Sequence, residues 1–458
     1  MANSSVKHGD RRRVVLTGLG PISAFGRGIE PLWEAMLEGR SAFRPFELFD
    51  ASGFDCPFAA TLSKELFDVR KTVPKTYRKA AKVMARDIEL AVGAAAKAVE
   101  DGQLVTRATD PEAEPTIPSS RTGCHIGAGL IACDVDELSL ALATSTDEDD
   151  EFDINAWGST GMGNLPPLWL LKYLPNMLAC HVTIIHDCQG PSNTITCAEA
   201  ASGLSLGESM RVIMRGHADV CLSGGAESKI NPMGVLRQQF AGRLAKIEQT
   251  EDPSQVIQPF SPNARGGILG EGGGILILEG LDSALSRGVT PIAELAGFAA
   301  SQAMCPDMIG LVYGDDDESV PSAIRAALAD ACCSPDDIDA ILPFGSSIPS
   351  MDQIDARAIQ SVFGDRAASI PVITTVPYVG LCGAGQGALA ASIAAHCIRE
   401  QMLPARIGIQ GEDSSGLNAG PCEARPASLR NILVFTTSVG GQNNAYVLRK
   451  VDAGEVSS

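Results

Sequence analysis

Twice in this chain an apolar run ends at a turn and opens into a helix of small residues. Thr194-Ile195-Thr196-Cys197 leads into AEAASGLSLGESMRVIMRG, and residues 371–379 lead through GLCGAGQG into GALAASIAAHCIRE. Small side chains let such a helix lie close to its neighbours inside a core. Each half of the chain also ends in a hairpin-like pair, near residues 272–278 and 431–448. A length of 458 residues allows two to four units of about 150. The internal echo favours one duplicated half-domain over three independent domains.

The runs between these landmarks alternate. Residues 14–17 (VVLT), 124–128 (CHIGA), 181–185 (HVTII), the NTITC and ADVCLSGGAES runs, GGILILEG, PIAELAGFAAS, DAILPFGSS and PVITTVPYVG read as strands. Helical patterns fall at IEPLWEAMLEGRSA, residues 74–103, DSALSRG, 318–332 and QIDARAIQSVFG, and NILVFTTSVGGQNNAYVLRK reads as a hairpin. Buried strands joined by helices place the chain in the α/β class with covered sheets. Five glycine clusters, at 18–20, 223–227, 270–274, 380–387 and 438–442, read as turns where the backbone passes close to something. The acidic run 144–153 (TSTDEDDEFD) reads as a solvated loop.

Charge and cysteine use remove several functions. With 36 basic and 55 acidic residues the net charge is −19. Nucleic-acid binding needs a net or clustered basic surface, so it is excluded as the main role. Thirteen cysteines lie scattered without C-x-x-C spacing, which reads as reduced, mostly buried thiols. The opening MANSSVKHGDRRR has no apolar stretch behind it, and no run is long enough to span a bilayer. The expectation is a soluble, acidic, cytoplasmic protein. No glycine cluster follows the dinucleotide pattern, no phosphate loop occurs, and no Cys/His spacing suits a metal, so no cofactor is expected.

Cys197 is the thiol that stands apart. At a strand-to-helix turn it meets the positive end of a helix dipole, which favours thiolate. The bland alternative is an inert buried Cys. A nucleophilic Cys needs a base or an anion-stabilising partner. None of the six histidines (His8, His125, His181, His186, His217, His396) falls on a glycine-rich turn suited to face it.

In order and spacing, RRRVVLTGLGPISAFGRGIEPLWEAMLEGRSA, YRKAAKVMARDIELAVGAA, YLPNMLACHVTI, GPSNTITCAEAASG, ADVCLSGGAES, QPFSPNARGGILGEGGGILILEGLDSALSRG and SVGGQNNAYVL resemble the β-ketoacyl-acyl-carrier-protein synthases of type II fatty-acid synthesis. The resemblance spans roughly residues 11–450. It implies a thiolase-like fold of two similar halves, here 11–285 and 286–450 with tails 1–10 and 451–458, stacked in five αβαβα layers. It also implies a homodimer, or a heterodimer with an active synthase, and an acyl carrier protein as partner. By the same resemblance Cys197 accepts an acyl group as a thioester. The backbone N–H groups of Cys197 and Val439 form an oxyanion hole. Carrier docking falls to basic residues at Arg78, Lys79, Arg237 and Arg243.

The departures from that family's pattern include three of its polar catalytic positions. Phe344 and Leu381 stand where the resemblance puts two catalytic His, and Val376 where it puts a Lys. Phe and Leu donate no hydrogen bond to a malonyl carbonyl or an enolate. The expectation is a chain that does not condense malonyl-carrier protein alone and acts like a chain-length factor beside an active synthase. Typical chain-length factors replace the Cys that is kept here. Acyl transfer or an atypical condensation through Cys197 therefore stays open, as does a non-catalytic acyl-binding or scaffold role.

Overall fold

The computed structural model describes residues 11–305, 311–407 and 415–452. Nine strands form one continuous hydrogen-bonded path: β1 (Val14–Ser23), β2 (Thr122–Gly127), β3 (Ser192–Ile195), β4 (Val220–Ser228), β5 (Leu269–Gly280), β6 (Ala293–Gln302), β7 (Ala340–Leu342), β8 (Asn431–Thr437) and β9 (Gln442–Arg449). Their spatial order is β7-β8-β9-β6-β1-β5-β4-β2-β3. The first-half strands lie together at one end and the second-half strands at the other. Only Val15↔Glu294 and Leu16↔Ala293 pair across the join between β1 and β6.

Seven helices place the layers: α1 (Ile29–Leu37), α2 (Arg86–Asp101), α3 (Met177–His186), α4 (Ala201–Met214), α5 (Ser319–Asp330), α6 (Pro349–Phe363) and α7 (Gln386–Glu400). Helices α2 and α3 cover the outer face of the first-half strands, and α5 and α6 that of the second-half strands. Between the two sets lie α4 and α7, the two small-residue helices, packed on each other and on strands of both halves. Ala388 of α7 donates its N–H to Ser202 Oγ of α4 at 3.0 Å. This is the five-layer αβαβα thiolase-like arrangement. No helix among the described residues is long and apolar enough to cross a membrane.

Several local expectations change. Three glycine clusters read as turns lie inside strands: 18–20 in β1, 223–227 in β4 and 270–274 in β5. The close approach is real, but it comes from a neighbouring layer. A Cβ on Gly20 would lie 2.2 Å from the Ala94 carbonyl oxygen of α2. The cluster at 438–442 is a true turn, with Gly440 and Gly441 at φ 87° and 88° joining β8 to β9.

Residues 181–185, read as a strand, belong to α3. Leu178, His181, Val182 and Ile185 are among its buried side chains, and that spacing is helical. The long helix expected over 74–103 begins only at Arg86. Before it the chain makes short 3-10 turns at Lys75–Tyr77 and Ala80–Val83, and Ala85 is extended. The PVITTVPYVG run is not a regular strand. Val372 makes one bridge to Ile341, and Pro377 then sits in the first turn of the short helix Val376–Val379, where a missing N–H costs least.

Candidate active site

Strand β3 runs parallel to β2 at the edge of the sheet and delivers Cys197 just beyond its end. Cys197 has φ −134°, ψ 46°, and Ala198 follows at φ 45°, a left-handed conformation that a side chain disfavours. The chain then makes one 3-10 turn, Ala198–Ala200, before α4. Cys197 is partly exposed, and burial pushes its thiol above the ordinary value. That reverses the direction expected from a helix start. Helix α4 begins four residues later, at Ala201, and the dipole's influence fades within the first turn.

Two residues after Cys197 lies a side chain that sequence reasoning passed over. Glu199 is 1% exposed. One of its oxygens pairs with the Arg243 guanidinium, and Oε2 accepts the Val439 N–H at 3.2 Å. Arg243 is itself 5% exposed and donates through Nη1 to Gln238 Oε1 at 2.7 Å. Burial works to raise the Glu199 carboxyl, but the Arg243 and Lys229 cations hold it below the ordinary carboxylate value. The only signal in the sequence was one acid inside a run of small residues, CAEAASG.

This arrangement corrects two expectations. Arg243 is not a surface docking residue, because it is spent on a buried carboxylate. Val439 contributes a backbone N–H at the site, but that N–H already has an anionic acceptor.

Phe344, Val376 and Leu381 are 2%, 0% and 4% exposed and belong to one apolar cluster with Phe58, Ile230 and Phe260. Phe344 precedes a turn gripped by two buried acids of α6. Asp355 accepts the Gly345 N–H at 3.0 Å, and Asp352 accepts the Ser346 and Ser347 N–H groups at 2.7 and 3.1 Å. Thr437 Oγ1 donates to Asp355 at 2.8 Å, which ties this turn to the end of β8, two residues from Val439. Leu381 is fixed through its backbone: its N–H donates to Ile268 O at 2.8 Å, and its carbonyl accepts the Gly270 N–H at 3.1 Å. The following turn, Gly383–Gly385, packs against the turn after Cys197. Ala384 donates its N–H to buried Glu227 at 2.6 Å, and Glu227 is ion-paired with Lys229. A chain of packed turns thus links Cys197, Val439, Leu381 and Phe344.

Four histidines are tied elsewhere. His125 meets Ser209, His181 meets Tyr77, His186 meets Thr106 and His396 meets Arg399. His217 is exposed, and His8 lies outside the described residues. Arg78 and Lys79 are exposed between the 3-10 turns before α2, and Arg237 is exposed on the helix Pro232–Phe240. Among the described residues no group of three or more His, Cys, Asp or Glu is placed to hold a metal ion.

The β-ketoacyl synthase N-terminal domain model matches residues 11–284, and the C-terminal domain model matches residues 292–410. The chain belongs to the β-ketoacyl synthase family. It is similar to the 3-oxoacyl-[acyl-carrier-protein] synthase 2 of Coxiella burnetii, at 29% identity over 447 residues, covering 96% of this chain and 99% of that protein. The Synechocystis protein of the same name is 28% identical over 444 residues, with the same coverage. Among solved structures, the ishigamide ketosynthase/chain length factor superposes with a TM-score of 0.80 at 26% identity, covering 96% of this chain and all of that one. A β-ketoacyl synthase from Burkholderia phymatum has a TM-score of 0.79 at 24% identity and shares the fold.

Proposed function

We propose that this β-ketoacyl synthase-family protein does not condense malonyl-carrier protein by itself and serves as a chain-length-factor-like partner of an active synthase. The observation that carries this reading is the burial of Phe344, Val376 and Leu381 in one apolar cluster. None of the three side chains can donate or accept a hydrogen bond or carry charge. Decarboxylation of a malonyl thioester builds negative charge on the thioester oxygen, and an apolar wall offers it nothing. Each missing donor costs on the order of 10²–10³-fold in rate, and donors acting as a unit do not add simply.

The likeness to a ketosynthase/chain length factor supports a paired role. So does the open edge of β3, which leaves backbone groups available for pairing with a second chain. An acyl carrier protein is the expected visitor. On a chain of net charge −19 it needs local basic residues, and Arg78, Lys79 and Arg237 are exposed to supply them. The partial exposure of Cys197 favours one second reading, in which this thiol accepts an acyl group.

The test is assembly. Mixed with a synthase that holds both His and the Lys, the protein should form a 1:1 complex by native mass spectrometry and change the product length. A chain that stays with its own copies and leaves product length unaltered contradicts the proposal.

A further inference from the structure

We infer that Glu199, anchored by Arg243, suppresses acyl transfer to Cys197 by occupying the Val439 N–H. This rests on the non-condensing reading given under the proposed function, and it takes from the family resemblance the places of Cys197 as acyl acceptor and of the Val439 N–H as oxyanion donor. It carries that reading back from the condensation step to the acyl transfer before it.

Acyl transfer would begin with the Cys197 thiol losing its proton and its sulfur attacking a thioester carbonyl. A C–S bond forms and the carbonyl π pair moves onto oxygen. Collapse of that tetrahedral species expels the donor thiolate, which takes up a proton. The intermediate needs hydrogen-bond donors aimed at its oxygen. In this chain the Val439 N–H is directed at Glu199 Oε2 at 3.2 Å. An incoming oxyanion must therefore displace a carboxylate, and it also sits beside that carboxylate's negative charge.

Glu199 does not swing away cheaply. It and Arg243 are 1% and 5% exposed, and Gln238 holds the far side of the guanidinium. Moving the carboxylate would strand a buried charge. Burial also pushes the Cys197 thiol above its ordinary value. Glu199 thus opposes the charge that acyl transfer must create.

The test compares two reactions of the same thiol. Octanoyl-N-acetylcysteamine acylates Cys197 through an oxyanion. Iodoacetamide alkylates it at a saturated carbon without one, and so reports only access and ionisation. Both rates are read at Cys197 by peptide mass mapping in wild type and in Glu199→Ala/Arg243→Met, which removes both charges together. The expected result is a rise in the acylation-to-alkylation ratio of about 10²-fold, the worth of one recovered donor. A ratio unchanged in a folded double variant overturns the inference.

Wild type alone provides a second measurement that needs no variant. Cys197 should be alkylated but not acylated, and acylation as fast as alkylation overturns the inference. The two readings fail separately. An unchanged ratio without CO2 release from malonyl-carrier protein discards the role of Glu199 and leaves the non-condensing reading standing. CO2 release discards that reading whatever the ratio.

Discussion

Arg243→Met breaks the most buried ion pair beside the site. The side chains of Arg243 and Glu199 are 6% and 2% exposed, so neither charge can turn to water. Without Arg243, Glu199 keeps one backbone N–H at 3.2 Å and the more distant Lys229 cation. Stranding a buried charge in this way costs about 3–5 kcal/mol. The stranded carboxyl can escape part of that by binding a proton. Its folded-state pKa then rises above the unfolded value of about 4.3. The protein binds more protons folded than unfolded, so the penalty is largest at high pH and shrinks as pH falls toward that unfolded value.

Removing both charges, as in Glu199→Gln/Arg243→Met, should cost much less, because a buried pair replaced by neutral groups is often close to neutral in stability. Urea unfolding at pH 8 and pH 5 reads all three proteins. The reasoning is refuted if Arg243→Met loses less than about 1 kcal/mol at pH 8, where a surface pair's worth would lie. It is also refuted if the double variant is as damaged as the single.

Other consequences follow from particular atoms. Gly20→Ala places a methyl 2.2 Å from the Ala94 carbonyl oxygen, a backbone atom that cannot swing aside. A loss of about 1–3 kcal/mol or more is expected in urea unfolding. Asp87 is buried, and its Oδ1 has no hydrogen-bond partner among the described residues. Burial, with nearby Glu227, pushes its carboxyl up to about 8. Its folded value exceeds its unfolded one, so its contribution is full below pH ~4 and is lost as pH rises toward 8, at about 1.4 kcal/mol per pH unit. Asp87→Asn should flatten that fall in a pH series of unfolding midpoints, and an unchanged slope contradicts the assignment. Reversing Arg78, Lys79 and Arg237 to Glu should weaken carrier-protein binding and its salt dependence in titration calorimetry, whereas unchanged binding removes these residues from the docking surface.

The features legible in the sequence are those that short-range pattern and backbone rules determine. The Cys197 turn, the β8–β9 hairpin and both small-residue helices lie where the pattern puts them, because glycine turns and apolar runs encode them locally. The segment 181–185 reads as a strand because a five-residue run of mostly β-branched side chains cannot distinguish a strand from a stretch of buried helix. The glycines at 18–20 misled because a turn and a close-packed strand both demand the absence of a side chain. The three apolar replacements were legible only through motif order. Their shared burial needed the fold.

The Glu199–Arg243 pair was beyond reach, since 44 residues separate its members. Arg243 looked like a solvated cation for that reason. The sequence places a helix start directly at Cys197, whereas a 3-10 turn separates the thiol from α4.

The most direct measurement is CO2 release from [3-¹⁴C]malonyl-carrier protein by the purified chain alone. The account predicts no release above buffer, with release restored only when a synthase carrying both His and the Lys is added. Steady release by the chain alone would contradict it, because the apolar positions Phe344, Val376 and Leu381 would then not be the barrier they are taken to be.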